Sequence, residues 1–224
     1  MYIYQCDLEM DDYLFYATTE RGKVAETGPY VHNYALTYAL SVLWEDKTNL
    51  PPRFQAKQQP SYKEELADLD FYLTPAQLLS GQQKIIQYNT INEGYNLSKG
   101  RNLGYPNWGY IKPFVPGSKF RFYALSNKEL DFPRYIRLGK FMGKARLKAS
   151  QAEQVTEKSG EFKVESLLNW KDLQETPQVF DILPQTLPTQ LIENACYKAG
   201  DYYQAKLPAG KINFPQEMDY LCHR

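Results

Sequence analysis

Apolar and polar residues alternate strictly at the start of the chain. Tyr2, Tyr4, Cys6, Leu8 and Met10 fall on one side and Gln5, Asp7 and Glu9 on the other, which predicts a half-buried β-strand. Asp11-Asp12 marks a turn, and residues 13–17 either continue this strand or pair with it. Gly28-Pro29 then opens a helix, with proline where its missing N–H costs nothing. Val31, Tyr34, Ala35, Tyr38 and Val42 form one apolar stripe of that helix, and Leu36, Leu40 and Leu43 a second, so it is expected to be buried on more than one side. His32 and Asn33 fall in its first turn, where free N–H groups attract anions. His32 reads first as a cap or structural residue, with phosphate contact as the alternative.

Residues 47–62 carry three prolines and form a long loop. Strands are expected over 69–73 and 84–90, with a turn or short helix start at Thr74-Pro75-Ala76, and 94–109 is too rich in Gly and Asn to stay regular. After the Val-Pro-Gly turn at 115–117, the strand 118–125 points Phe120, Phe122 and Ala124 inward and Lys119, Arg121 and Tyr123 outward. The stretch 133–148 is sharper still. Ile136 and Leu138 face inward before Gly139, but from Lys140 onward the parity reverses: Lys140, Met142, Lys144, Arg146 and Lys148 lie on one side and Phe141, Gly143, Ala145 and Leu147 on the other. No strand keeps both halves buried unless a bulge or turn intervenes at Gly139-Lys140. Gly143 in that strand would also permit close backbone approach by a ligand. Beyond it, 151–159 reads as a polar loop, 162–164 as extended, 167–173 as a short amphipathic piece around Trp170, 189–199 as a helix and 202–207 as alternating again.

Charge changes this picture. The whole chain is neutral, yet residues 99–148 hold twelve Lys or Arg against two acids, while the flanks are acidic. Such a field gathers polyanions at one surface. Aromatic residues interleave with these cations, a mixture that suits single-stranded nucleic acid better than a bare phosphate or a membrane. Nineteen tyrosines in 224 residues point the same way, toward large contact surfaces.

Other chemistry is thin. Cys6, Cys196 and Cys222 are far apart and odd in number, which argues against a disulfide framework and a zinc site and for a reducing, cytoplasmic setting. No Walker loop, Rossmann glycine fingerprint or Gly-x-Ser-x-Gly elbow occurs, so no cofactor is expected. No signal peptide or membrane-length apolar run is present either. A metal-independent ribonuclease would need an acid and a base, for which His32 with Lys140 or Lys144 are the candidates. A protein-interaction module whose basic face meets an acidic partner is the remaining alternative.

The opening Met-Tyr-Ile-Tyr-Gln-Cys, the segment His32-Asn33-Tyr34-Ala35-Leu36, and the stretches 104–125 and 133–147 together resemble the Csc-one family, the Cas-five-type subunit of type I-D CRISPR Cascade complexes. The resemblance implies an α+β fold, a ferredoxin-like (RRM-related) antiparallel sheet core with a β-rich extension. It implies one Cas-five-like domain over 1–224, with most of the core and the basic strands in 1–150 and a C-terminal extension in 151–224. It further implies a non-catalytic subunit that holds the 5′ handle of the CRISPR RNA and caps a filament of Cas-seven-type backbone subunits beside a Cas-ten-type large subunit. Contact with target DNA near the protospacer-adjacent motif is left open, as is the alternative of an endoribonuclease that processes CRISPR repeat RNA. On this reading Lys119, Arg121, Arg134, Arg137, Lys140, Lys144 and Arg146 hold phosphates. Tyr105, Trp108 and Tyr110 stack on bases, and Lys99, Arg101, Lys112 and His32 are further RNA-binding candidates.

Overall fold

The strand with the clearest alternation, β1 (Tyr2–Met10), lies in the middle of a seven-stranded sheet. The fold is that of a computed structural model, described over residues 1–43, 62–66, 69–90, 107–184 and 186–221. On one side β1 pairs antiparallel with β9 (Lys119–Ser126), on the other with β11 (Gly143–Gln151). β10 (Tyr135–Leu138) extends the sheet beyond β11. Beyond β9 lie β6 (Ala76–Ser80) and β4 (Tyr30–Val31), and β5 (Phe71–Leu73) also pairs with β9. Register explains why this sheet has one continuous apolar face. Leu8 stands opposite Leu147 and Phe120, and Cys6 opposite Ala149 and Phe122. These side chains share a core with Tyr34 and Leu36 of the short helix α1 (Asn33–Ala39), with its C-cap Leu40, and with Leu66 of α2 (Tyr62–Leu66). The helix is shorter than its apolar stripes suggest, because Gly28-Pro29 leads into β4 and His32 is the cap.

The second face of the sheet is covered at one end only. Ile3, Gln5, Tyr123 and Leu125 are buried beneath C-terminal strands. The Tyr123 and Phe214 rings meet at 5.1 Å, and the Ala209 N–H donates to Gln5 Oε1 at 2.9 Å. Tyr123 therefore does not join Lys119 and Arg121 on an exposed face as its parity suggested. The covering sheet is β12 (Gln154–Ser159), β17 (Asp201–Leu207) and β18 (Gly210–Pro215). The expected loop at 151–159 is thus largely strand. A neighbouring sheet centres on β16 (Leu191–Tyr197), paired with β13 (Phe162–Val164), β14 (Leu168–Asn169) and β15 (Val179–Ile182). The helix expected over 189–199 is therefore also a strand. A fourth sheet runs β2 (Thr19–Arg21), β3 (Val24–Glu26), β8 (Asn107–Lys112) and β7 (Ile86–Thr90), with β3 and β8 parallel. The described chain is mostly β-sheet with few helices.

A buried polar network ties α1 to the C-terminal part. Asp172 closes a 3-10 turn, Trp170–Asp172, and is 0% exposed. Its Oδ2 accepts from Asn33 Nδ2 at 2.7 Å, Asn169 Nδ2 at 2.9 Å and Tyr72 OH at 3.1 Å. Its Oδ1 accepts from Tyr34 OH at 2.8 Å and the Leu221 N–H at 2.9 Å. Burial pushes this carboxyl up to about 6, against hydrogen bonds that favour its ionised form. The network continues through Asn169, whose Oδ1 accepts from Thr189 Oγ1 at 2.7 Å, to His32 Nε2, 2.9 Å from that hydroxyl.

Candidate nucleic-acid interface

The uncovered end of the sheet is built on the β10–β11 hairpin. The parity reversal at Gly139 is resolved there by a turn at 139–142. Gly139 has φ +77°, and a Cβ on it would come within 2.8 Å of Phe15 O. The Lys140 N–H donates to that same Phe15 carbonyl at 2.8 Å. A Cβ on Gly143 would meet Tyr13 O at 2.7 Å. The small residue at 143 thus makes room for the chain's own backbone rather than for a ligand. Because β11 begins only at Gly143, Phe141 is not an inward residue. It lies in the turn, 42% exposed, stacked on Phe15 with ring centroids 5.3 Å apart.

On the outward side, β11 presents Lys144, Arg146 and Lys148, with Tyr135 and Arg137 beside them on β10. Two strands away β9 presents Lys119 and Arg121. Between the two basic rows runs β1, whose outward residues Asp7 and Glu9 stand opposite Lys148 and Arg146 on one side and Arg121 and Lys119 on the other. The cations are therefore not an open track. Arg121 Nε lies 2.6 Å from Asp7 Oδ1, and Gln5 Nε2 donates to the other carboxylate oxygen at 2.9 Å. Partial burial works against the Arg121 charge, but the bond and attraction to Asp7 outweigh it and raise its pKa. Arg146 Nη2 is 3.1 Å and Lys144 Nζ 3.8 Å from the two oxygens of Asp11. Lys144 Nζ also sits 3.9 Å from the Tyr135 ring centroid, a cation–π contact. Arg137 Nη1 donates to Met142 O at 2.9 Å.

The remaining candidates divide cleanly. Arg134 and Lys140 are exposed at the ends of β10, with Lys140 Nζ 5.9 Å from the Phe15 ring centroid. Lys112 and the 41%-exposed Tyr110 belong to β8 in a different sheet, where Lys112 pairs with Glu26 at 3.5 Å. Trp108 is also on β8, though its side chain lies outside what is described, and Lys99, Arg101 and Tyr105 lie outside the described residues. His32 is not on the basic face. It is 5% exposed, its Nδ1 accepts the Tyr34 N–H at 3.3 Å, and its Nε2 faces Thr189 Oγ1. Burial lowers its pKa to about 3, only partly opposed by the Thr189 hydrogen bond. At neutral pH it is uncharged with both ring nitrogens engaged, poorly suited to hold a phosphate or move a proton. Sequence reasoning missed Tyr135, although it shares the outward parity of Arg137. It also missed the acidic row, although Asp7 and Glu9 occupy the polar side of β1. Among the described residues no cluster of His, Cys, Asp and Glu is arranged to hold a metal ion. No described helix is long and apolar enough to cross a membrane.

The sequence signature of type I-D CRISPR-associated protein Cas5/Csc1 matches residues 1–223. The chain belongs to the Cas5/Csc1 family. No curated protein matches it in sequence. A crystal structure of a CRISPR protein from Archaeoglobus fulgidus aligns over 96% of this chain and 100% of its own, with a TM-score of 0.46 and 11% identity. In this Cas5/Csc1 chain Arg137, Arg146 and Lys148 stand exposed along the β10–β11 margin around a 48%-exposed Tyr135. Half-exposed ion pairs such as Arg146–Asp11 are worth at most about 1 kcal/mol, so a phosphate can replace the carboxylate as partner.

Proposed function

We propose that this Cas5/Csc1 chain is a non-catalytic RNA-binding subunit of a type I-D Cascade complex in the cytoplasm. It holds the 5′ handle of the CRISPR RNA and caps the Cas-seven-type backbone filament beside the Cas-ten-type large subunit. The observation that carries the reading is the exposed β10–β11 margin, where cations alternate along two paired strands around an exposed tyrosine. Phosphates bind to such a row while bases stack on aromatic rings. The sheet supports a ferredoxin-like, RRM-related reading as well. Its strand order β11-β1-β9-β6, with α1 between β1 and β6 in the chain, is the antiparallel order of that fold. Where that fold carries its second helix, between β9 and β11, this chain places β10 instead.

The test is a salt series with single-stranded handle RNA. Log affinity falls linearly with log salt, and Arg137→Glu with Arg146→Glu lowers the slope by about 1.4, two phosphate contacts at about 0.7 each, while circular dichroism stays unchanged. An unaltered slope and affinity in the folded double variant would refute the assignment of this face. Incubation with repeat RNA in EDTA leaves the RNA intact on this reading; specific cleavage there would show an enzyme.

A further inference from the structure

A cavity beside α1 is not accounted for by the basic face. It encloses about 410 Å³ and is lined by Tyr16, Tyr30, Tyr38 and Tyr62 with His32 and Ala35. No Lys, Arg, Asp or Glu is among the described residues that line it. Its polar atoms are largely engaged within the protein. Thr18 Oγ1 donates to Glu26 O at 2.9 Å and accepts the Gly28 N–H at 2.7 Å, the Tyr38 hydroxyl donates to Glu65, and Tyr16 bonds the backbone at Gly139. The space therefore offers ring faces and edges rather than free hydrogen-bonding groups. An ionised ligand would lose its hydration there without compensation, whereas a flat uncharged ring stacks well against tyrosines. The cavity also has a neighbour. A groove of about 710 Å³ shares Tyr16, Ala35 and Tyr38 with it and runs on to Tyr135, Arg137 and Lys144.

We propose that this tyrosine cavity receives one unpaired nucleobase of a bound single-stranded RNA, while an adjacent phosphate lies in the adjoining groove against Arg137 and Lys144. The inference rests on the RNA-binding reading above and adds a base-capture site distinct from the outward face. Because most of the lining groups are already hydrogen-bonded, the base is held mainly by stacking and shape. Purines, with the larger face, bind better than pyrimidines, and base-edge discrimination is weak.

The experiment uses the full chain and a short single-stranded RNA in which 2-aminopurine is walked along the sequence one position at a time. In the wild type one position is quenched by stacking on tyrosine. Ala35→Leu, which projects a larger side chain into the cavity, abolishes that quenching and weakens RNA binding roughly ten-fold, with the salt slope unchanged because the phosphate contacts remain. Leu187→Glu, a change at a 61%-exposed residue on the cavity wall, also abolishes that quenching without touching the core, its added negative charge weakening RNA binding further. RNA bound equally by wild type and both variants, with no position selectively quenched, overturns the base site while RNA binding itself stands. A wild type that binds no RNA overturns the RNA-binding reading and this one with it.

Discussion

Replacing His32 by Asn should destabilise the protein at neutral pH and stabilise it in acid. His32 is buried with a pKa held at about 3, against an ordinary value of 6.5. Above pH 6.5 both folded and unfolded chains carry a neutral imidazole, and its packing and hydrogen bonds contribute in full. As pH falls below 6.5 the unfolded chain takes up a proton that the folded chain refuses, so stability is lost progressively down to pH 3. At about 1.4 kcal/mol per pKa unit the loss reaches about 2 kcal/mol at pH 5 and about 3.5 kcal/mol at pH 4. Asparagine still caps α1 by accepting the Tyr34 N–H but does not titrate. It forfeits the bond to Thr189 and the ring contact with Tyr34, 4.8 Å between centroids. Together these are worth about 1–2 kcal/mol. The two proteins should therefore exchange order between about pH 5 and pH 6. Urea unfolding of both, at steps from pH 7 to pH 4, reads this directly, because the difference between them cancels other titrations common to the two. A difference that stays constant over that range would refute the claim that His32 is walled off from protons.

Two further changes probe the framework. Asp172→Ala leaves the amides of Asn33 and Asn169 and the Leu221 N–H without their acceptor in a buried site, and should cost about 3 kcal/mol or more in urea unfolding at pH 7. Gly143→Ala brings a Cβ within 2.7 Å of the Tyr13 carbonyl, so the backbone at the start of β11 must shift. A loss of about 1–3 kcal/mol is expected in thermal unfolding, with weaker RNA binding because Lys144 is displaced.

What the sequence discloses follows the hydrophobic pattern closely where that pattern is regular. β1 could be read from its alternation, and the β10–β11 turn from the reversal of parity at Gly139. β16 was misread for a definite reason. Asn194, at φ +54°, lies within an extra residue on β16 between the pairs Asp181–Glu193 and Val179–Cys196, and this bulge turns a two-residue period into an apparent helical one. β12 gave no signal because it is an edge strand, largely exposed, whose place is set by pairing with β17. The cations of the interface were legible one strand at a time. Their carboxylate partners were not, because nothing local in residues 118–148 says that β1 is inserted between β9 and β11.

That insertion determines how the face behaves when empty. With Asp7 gripping Arg121, and Asp11 shared by Arg146 and Lys144, much of the positive field is cancelled at home. On the RNA-binding reading proposed above, capture of a polyanion becomes an exchange of partners rather than attraction to bare charge. A stray nucleic acid touching one or two of these groups gains little over the resident carboxylates, whereas a strand that engages many at once, and also seats its bases, gains enough to stay.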